Sequence, residues 1–229
     1  MADRTRLPVV FFGHGSPTNA IETNEATRTW VRIARTIGRP KAILSVSAHW
    51  CTRGTAVTAM AVPPTIHDFG ESLPSSLFDI EYPAPGSPAL AERVRDLLAP
   101  TAVELDTSWG LDHGTWLVLV KTHPKADVPV VQLSLDMTRP NEWHFKLGRR
   151  LRPLRDEGVL IMGTGNIVHN LSLMDADPSA SPYEWAERFH QYIKEGIARD
   201  DPARVVDYRS FGRESSLAVP NPDHYLPLL

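Results

Sequence analysis

Pro8-Val9-Val10-Phe11-Phe12-Gly13-His14-Gly15-Ser16-Pro17 is the stretch on which the reading of this 229-residue chain turns. A short β-branched and aromatic run that breaks at Gly-His-Gly is the pattern of a buried strand opening into a loop. In open α/β sheets, ligands sit outside the carboxyl ends of the strands. A histidine at that place, between two glycines that leave its ring uncrowded, is set to bind something. The design recurs at Ala42-Ile43-Leu44-Ser45-Val46-Ser47-Ala48-His49-Trp50 and at Val159-Leu160-Ile161-Met162-Gly163-Thr164-Gly165-Asn166-Ile167-Val168-His169. Three strand-like runs, each delivering a histidine at or just past its end, predict convergence on one point and a metal site there.

Outward from the first run, Asn24 is placed to cap a helix over about 25–37, which Gly38 and Pro40 end. Strand, helix, strand in this order makes a right-handed crossover with parallel strands. Further strand-like runs are Ala56 to Val62, Val103 to Leu105, Val128 to Leu133 and Val159 to Met162. Helices are expected from Ser87-Pro88 through Leu98, from Trp116 to Thr122, from Asn141 to about Arg155, and from Pro182 to Arg199. The expectation is therefore an α/β fold, one domain over residues 1–229, with a largely parallel or mixed central sheet flanked by helices. A long Pro-, Ser- and Gly-rich segment from Pro63 to Pro88 carries His67, Phe69, Phe78 and Tyr82, which suit an ordered cover.

Composition narrows the function classes. A hydrophobic fraction of 42% supports a sizeable core, and a net charge of −3 with no basic block argues against nucleic acid and anionic membranes as partners. No apolar run is long enough to span a bilayer. A single cysteine, Cys51, rules out an internal disulfide framework and suits a reducing cytoplasm. Cys51 is expected to be buried and inert. Gly163-Thr164-Gly165 lacks the third glycine of a dinucleotide fingerprint, and Gly13-His14-Gly15-Ser16 lacks the lysine of a phosphate loop. Ser16 is not in a nucleophile-elbow pattern.

Nine histidines is a high count for this length. His123 lies at a helix end among charges, and His144 and His190 lie on helices; all three are read as structural. His14, His49 and His169 share a position after strands. His67, His113 and His224 stand in loops beside aspartates, in His67-Asp68, Asp112-His113 and Asp223-His224. Six candidates exceed what one metal binds, so some belong to catalysis or to the surroundings of the metal. Imidazole donors suit Zn, Fe, Cu or Ni rather than Mg or Ca.

Taken together, Gly13-His14-Gly15-Ser16-Pro17, Ser47-Ala48-His49-Trp50, Pro64-Thr65-Ile66-His67-Asp68-Phe69, Tyr82-Pro83-Ala84-Pro85-Gly86, Asp112-His113-Gly114, Gly165-Asn166-Ile167-Val168-His169-Asn170 and His224-Tyr225-Leu226-Pro227 occur in this order. The set resembles the DODA-type (4,5-DOPA) extradiol dioxygenases of the class III extradiol superfamily, and covers nearly the whole chain. The resemblance implies one divalent metal per chain, Fe(II) for activity or Zn(II) as bound, on His14, His49 and His224. His169 is implied as a further ligand or as the acid/base, and His113 as a second catalytic histidine beside the metal. His67, Phe69 and Tyr82 are expected to cover and shape the substrate. The implied partners are a small-molecule catechol and O2, in a cytoplasmic monomer or small homo-oligomer. Two other readings stay open: a zinc-dependent hydrolase using a metal-bound hydroxide, and a non-catalytic metal- or ligand-binding relative.

Overall fold

In a computed structural model, residues 6–175, 177 and 180–229 are described. β1 (Val9–Gly13) leads to α1 (Glu25–Ile37), whose start is fixed by a reciprocal cap. The Asn24 side chain accepts from Thr27 N, and Thr27 Oγ1 accepts from Asn24 N at 2.9 Å. β2 (Ala42–Thr52) and β3 (Thr55–Thr58) follow, then α2 (Pro88–Leu98), capped by Ser87 with Pro88 in its first turn. After β4 (Val103–Asp106) come α3 (His113–Thr122) and β5 (Val130–Asp136), then α4 (Asn141–Arg150) and α5 (Pro153–Asp156). β6 (Val159–Gly165), α6 (Glu184–Ala198), α7 (Pro202–Val206) and α8 (Arg213–Ala218) complete the order.

The six strands form one sheet in the order β1-β6-β2-β5-β3-β4. Every pairing is parallel except β3 with β5, so the sheet is mixed, as expected. Side chains alternate between its faces with the strand period of two. On β2, Ile43 packs with α1 and α3 through Trp30, Trp116 and Leu117, while Leu44 packs on the opposite face with Leu90, Val94, Leu147 and Leu154 of α2, α4 and α5. On β6, Leu160 and Met162 take the first face, and Val159 and Ile161 the second. Strands buried on both faces read as continuous apolar runs, which is why the core strands were visible in the sequence. A third apolar cluster, Phe189, Ile193, Val205, Tyr208, Ala218 and Tyr225, holds α6, α7 and α8 together beside the sheet. No helix among the described residues is long and apolar enough to cross a membrane.

Several boundaries differ from expectation, each for a local reason. β2 runs on through His49 to Thr52, so His49 lies within a strand rather than past its end. Pairing jumps from Val46 opposite Leu133 to Cys51 opposite Leu135, and this bulge is what re-aims the residues around His49. β3 stops at Thr58, well short of Val62. α3 begins at His113, because Asp112 caps it by accepting from Thr115 N. The helix expected over 141–155 is broken, and Pro153 opens a separate short helix. Cys51 is exposed, not buried, with its thiol donating to Ala48 O at 3.4 Å. Burial of the sulfur, with Asp223 and Asp112 nearby, pushes this thiol up to about 11, so it stays protonated at neutral pH.

Candidate metal centre

The carboxyl ends of β1, β6 and β2 lie side by side, with Gly13 opposite Gly165 and Ser47 opposite Thr164. His14 extends this ladder by one step, its N–H donating to Gly165 O at 3.0 Å. The loop after it is tied by Gly15 N donating to Asn166 Oδ1 and by Asn19 Nδ2 donating to His14 O. His14 is 1% exposed.

His224 arrives from far along the chain. The segment after α8 lies across the end of β6, where Asn166 N donates to His224 O at 2.8 Å. That approach needs a glycine: a Cβ on Gly165 would stand 2.2 Å from His224 O. Gly114 does the same for His49, since a Cβ there would meet Ser47 Oγ at 2.5 Å and His49 Cδ2 at 2.8 Å.

These contacts bring His14, His49 and His224 together, with one donor nitrogen from each within 4.8 Å of the others. His14 Nε2 and His49 Nε2 are 3.3 Å apart. His14 Nδ1 is buried with no hydrogen-bond partner, so neither nitrogen of that ring reaches a protein oxygen. A buried ring left in this condition is costly, and a shared cation would satisfy one of its two nitrogens. The donor set therefore fits a divalent metal of the kind imidazole prefers. Protonation opposes nothing here: burial, then His49 and His224, holds His14 well below the usual histidine range. Burial and then His113 push His49 down to about 3, against the pull of Asp68. Neutral rings are what a metal requires.

Carboxylates stand behind the rings. Asp68 Oδ1 accepts from both the backbone N–H and Nδ1 of His113, at 2.8 and 2.9 Å, and its Oδ2 lies 3.4 Å from His49 Nδ1. Burial pushes the Asp68 carboxyl up, but the His113 hydrogen bond and charge outweigh it and hold the group below the usual carboxylate range. An ionised carboxylate only accepts, so Asp68 fixes the Nδ1–H tautomer of His113. Asp223 Oδ2 lies 3.4 Å from His224 Nδ1. Beneath them, fully buried Asp112 accepts from Ser47 Oγ at 2.7 Å and from Gln132 Nε2 at 2.7 Å. Burial and the neighbouring Asp68 raise the Asp112 carboxyl above its ordinary value. This network locks the start of α3, and hence His113, to β2 and β5.

His169 stacks on His224, with ring centroids 3.4 Å apart and planes at 9°. Its nitrogen groups with Asp223 and His224, and burial and then His224 push it down to about 4. His113 lies 3.8 Å from His49 between ring centroids. All five histidines line one cavity of about 720 Å³, completed by Ser16, Asn166, Asn170 and a mostly apolar segment that includes Leu171, Leu173, Met174, Tyr183 and Trp185. A second cavity of about 730 Å³ lies between α4 and Leu226–Leu229, away from the cluster.

The three residues expected to cover the substrate are not among the described residues that line this cavity. Tyr82 is 2% exposed in the core, its hydroxyl donating to His123 O at 2.9 Å. His67 Nε2 bonds Ile80 O and packs on Trp116, tying the Pro-rich segment to itself. Phe69 meets His113 edge-on at 5.4 Å, so it packs against a site residue. His144 and His123 are structural, His144 bonding Asp136 O. Asp68, Asp112 and Asp223 entered the sequence reading only as neighbours of histidines; the bonds they make, and the part of Gln132 and Ser47, were missed. The available signal was Asp112-x-x-Thr115, a helix-cap spacing.

The sheet and its histidine cluster define an α/β protein whose cavity floor is fit for a divalent metal. Comparison with known proteins gives the family. The model described as the catalytic LigB subunit of aromatic ring-opening dioxygenase matches residues 9–208, and the chain belongs to this family of metal-dependent enzymes. It is 52% identical to the 4,5-DOPA dioxygenase extradiol of Escherichia coli (strain K12), over 98% of this chain and 84% of that one. It is 37% identical to the 4,5-DOPA dioxygenase extradiol of Beta vulgaris, over 95% and 83%. A crystal structure of an uncharacterized Escherichia coli K12 protein superposes with a TM-score of 0.80 at 46% identity, covering 95% of this chain and 84% of that one. Of the three readings left open by the sequence, membership selects the extradiol ring-cleaving dioxygenase.

Proposed function

We propose that this enzyme opens the ring of a catechol of the 4,5-DOPA kind with O2, at one divalent metal held by His14, His49 and His224. The observation that carries the reading is the three donor nitrogens within 4.8 Å on the floor of a 720 Å³ cavity that two further histidines also line. Iron in the ferrous state would supply the redox link between an electron-rich ring and dioxygen, which zinc does not. The reaction balances without another reductant: both atoms of O2 enter the product as one ring C–C bond breaks.

The chain's own groups handle protons and shape. His169, neutral at physiological pH, accepts the second phenolic proton and returns it as the ring opens. Its stacking on His224, and its grouping with Asp223 rather than with His14 and His49, favour acid/base work over ligation. His113, held by Asp68 at Nδ1, keeps its other nitrogen for substrate or dioxygen. Phe69 and the Asp112 network fix that ring, while His67 and Tyr82 hold the segment behind it. Every ligand comes from one chain, so a monomer or a small homo-oligomer serves equally, and the lone cysteine suits the cytoplasm.

The test is to strip the metal, reload anaerobically with Fe(II), add a panel of catechols and admit air while recording oxygen uptake and the visible spectrum. Oxygen consumption matched to a yellow ring-opened product, absent with Zn(II), is expected. Iron fully bound with no turnover across the panel refutes the reading.

A further inference from the structure

Two asparagines stand around the histidine of Gly165-Asn166-Ile167-Val168-His169-Asn170, and the proposed reaction gives neither a part. Both line the cavity. An asparagine amide is an acceptor at one end and a double donor at the other, so a bond at one end fixes what the other presents. Asn170 Nδ2 donates to Leu217 O at 2.8 Å, which leaves its oxygen. Asn166 is turned the opposite way. Its Oδ1 accepts from Gly15 N at 3.1 Å, and because a backbone N–H can only donate, the atom facing it is the oxygen. Asn166 Nδ2 has no acceptor among the described residues, and it is not one of the buried polar atoms left without a partner. On a half-buried residue of the cavity lining, its N–H groups therefore open on that space.

The place of this donor is fixed by the strand ends. His14 and Asn166 are the residues that follow the paired Gly13 and Gly165. The Asn166 backbone donates to His224 O at 2.8 Å, while its side chain holds the turn after His14. Asn166 is thus fastened to two of the three segments that carry the proposed ligands. A catechol that gives up protons at a cation presents ionised oxygens there, and the imidazoles answer that charge poorly. His14, His49 and His169 are held neutral, and His113 has its proton on Nδ1, toward Asp68. No lysine or arginine lines the cavity among the described residues. A fixed N–H donor fills the need, since a hydrogen bond to an ionised oxygen is about twice as strong as one between neutral groups.

We infer that Asn166 binds the substrate directly, donating from Nδ2 to an ionised oxygen of the catechol while its Oδ1 clamps the loop after His14. This rests on the catechol reading above. One side chain then joins the seat of the metal to the seat of the substrate, each through a different end of the same amide.

The test uses the full chain loaded with Zn(II), which has no redox chemistry with which to consume the probe, 4-methylcatechol. The variant is Asn166→Asp, which keeps an oxygen for Gly15 N and loses the donor. Its metal affinity, titrated against a chromophoric chelator, is expected to fall by no more than about threefold. Its Kd for 4-methylcatechol is expected to rise about 10- to 100-fold, the scale of a lost hydrogen bond to a charged group. The pH at which the bound probe shows the ultraviolet spectrum of its anion is expected to move up, because that anion has lost a donor and gained a like charge. A clamp alone would move neither. A crystal structure of the parent chain with Zn(II) and 4-methylcatechol gives a reading independent of how the variant folds, with Nδ2 expected within about 3.2 Å of a catechol oxygen. A bound probe with both oxygens beyond reach of Nδ2, or a variant that binds the probe as the parent does, overturns the inference and leaves the catechol reading standing. No binding of the probe to the parent overturns that reading, and the inference with it.

Discussion

Asp68→Asn puts the largest demand on this account, because it removes a charge while keeping size and shape. In the parent protein one carboxylate accepts from two His113 groups, at 2.8 and 2.9 Å, and faces His49 Nδ1 at 3.4 Å. As an acceptor it draws the His49 proton to Nδ1 and leaves Nε2, the atom 3.3 Å from His14 Nε2, free to ligate. An asparagine that keeps its carbonyl on His113 turns its NH2 toward His49. That donor favours the opposite tautomer, with the proton on the ligating nitrogen. Loss of such an outer partner costs about 10- to 100-fold in metal affinity, or about 1.4 to 2.7 kcal/mol. The weakened His113 bond, charge-assisted in the parent at about 1.5–3 kcal/mol, adds a loss of turnover at saturating metal. Anaerobic titration against a chromophoric chelator measures the first effect, and single-turnover kinetics with iron in excess the second. Circular dichroism checks the fold. Metal affinity within about threefold of the parent would refute the tautomer argument.

Other expectations follow from the same geometry. Gly165→Ala drives a Cβ to within 2.2 Å of His224 O, so it should cost about 1–3 kcal/mol and abolish stoichiometric metal; an unchanged melting temperature and full metal content would count against the packing argument. Metal-free protein should lose stability as pH falls from 6.5 to about 5. His14, His49 and His169 have folded values below 6.5, so the unfolded chain binds more protons in that window; a flat melting curve across it would show these rings are not buried neutral. Cys51, exposed but with its thiol pushed up to about 11, should alkylate slowly at neutral pH compared with a free thiol, and rapid labelling would refute the assigned environment.

How much was legible beforehand depended on whether the cause lay within a short stretch. The core strands showed because apolar runs such as Val159 to Met162 are buried on both faces, and α1 showed because Asn24 and Gly38 bracket it. The convergence of His14 with His49 could be read from their place near strand ends. The bulge that aims His49 could not, since it arises from pairing with β5. Tyr82 resembled a cover residue by its Pro-rich setting, yet its phenol is taken up by the His123 carbonyl across the core. Asp68 was visible only as a neighbour of His67; its partner His113 is brought beside it by backbone bonds from Ile66 N to Leu111 O and from Leu111 N to Pro64 O. The short helices α7 and α8 escaped notice because five or six residues carry too little periodicity to register.

The passage of the segment after α8 across the end of β6 has a consequence for how the molecule comes apart. His14 and His49 belong to the sheet, whereas His224 belongs with the separate apolar cluster formed by α6, α7 and α8. A cation shared by the three, as proposed, would be a rivet between two cooperative units, each with its own core. Its binding energy is felt at the seam. Demetallation would then act as an uncoupling, letting the helical layer breathe against a sheet that stays shut, and the substrate wall carried between β6 and α6 would loosen with it.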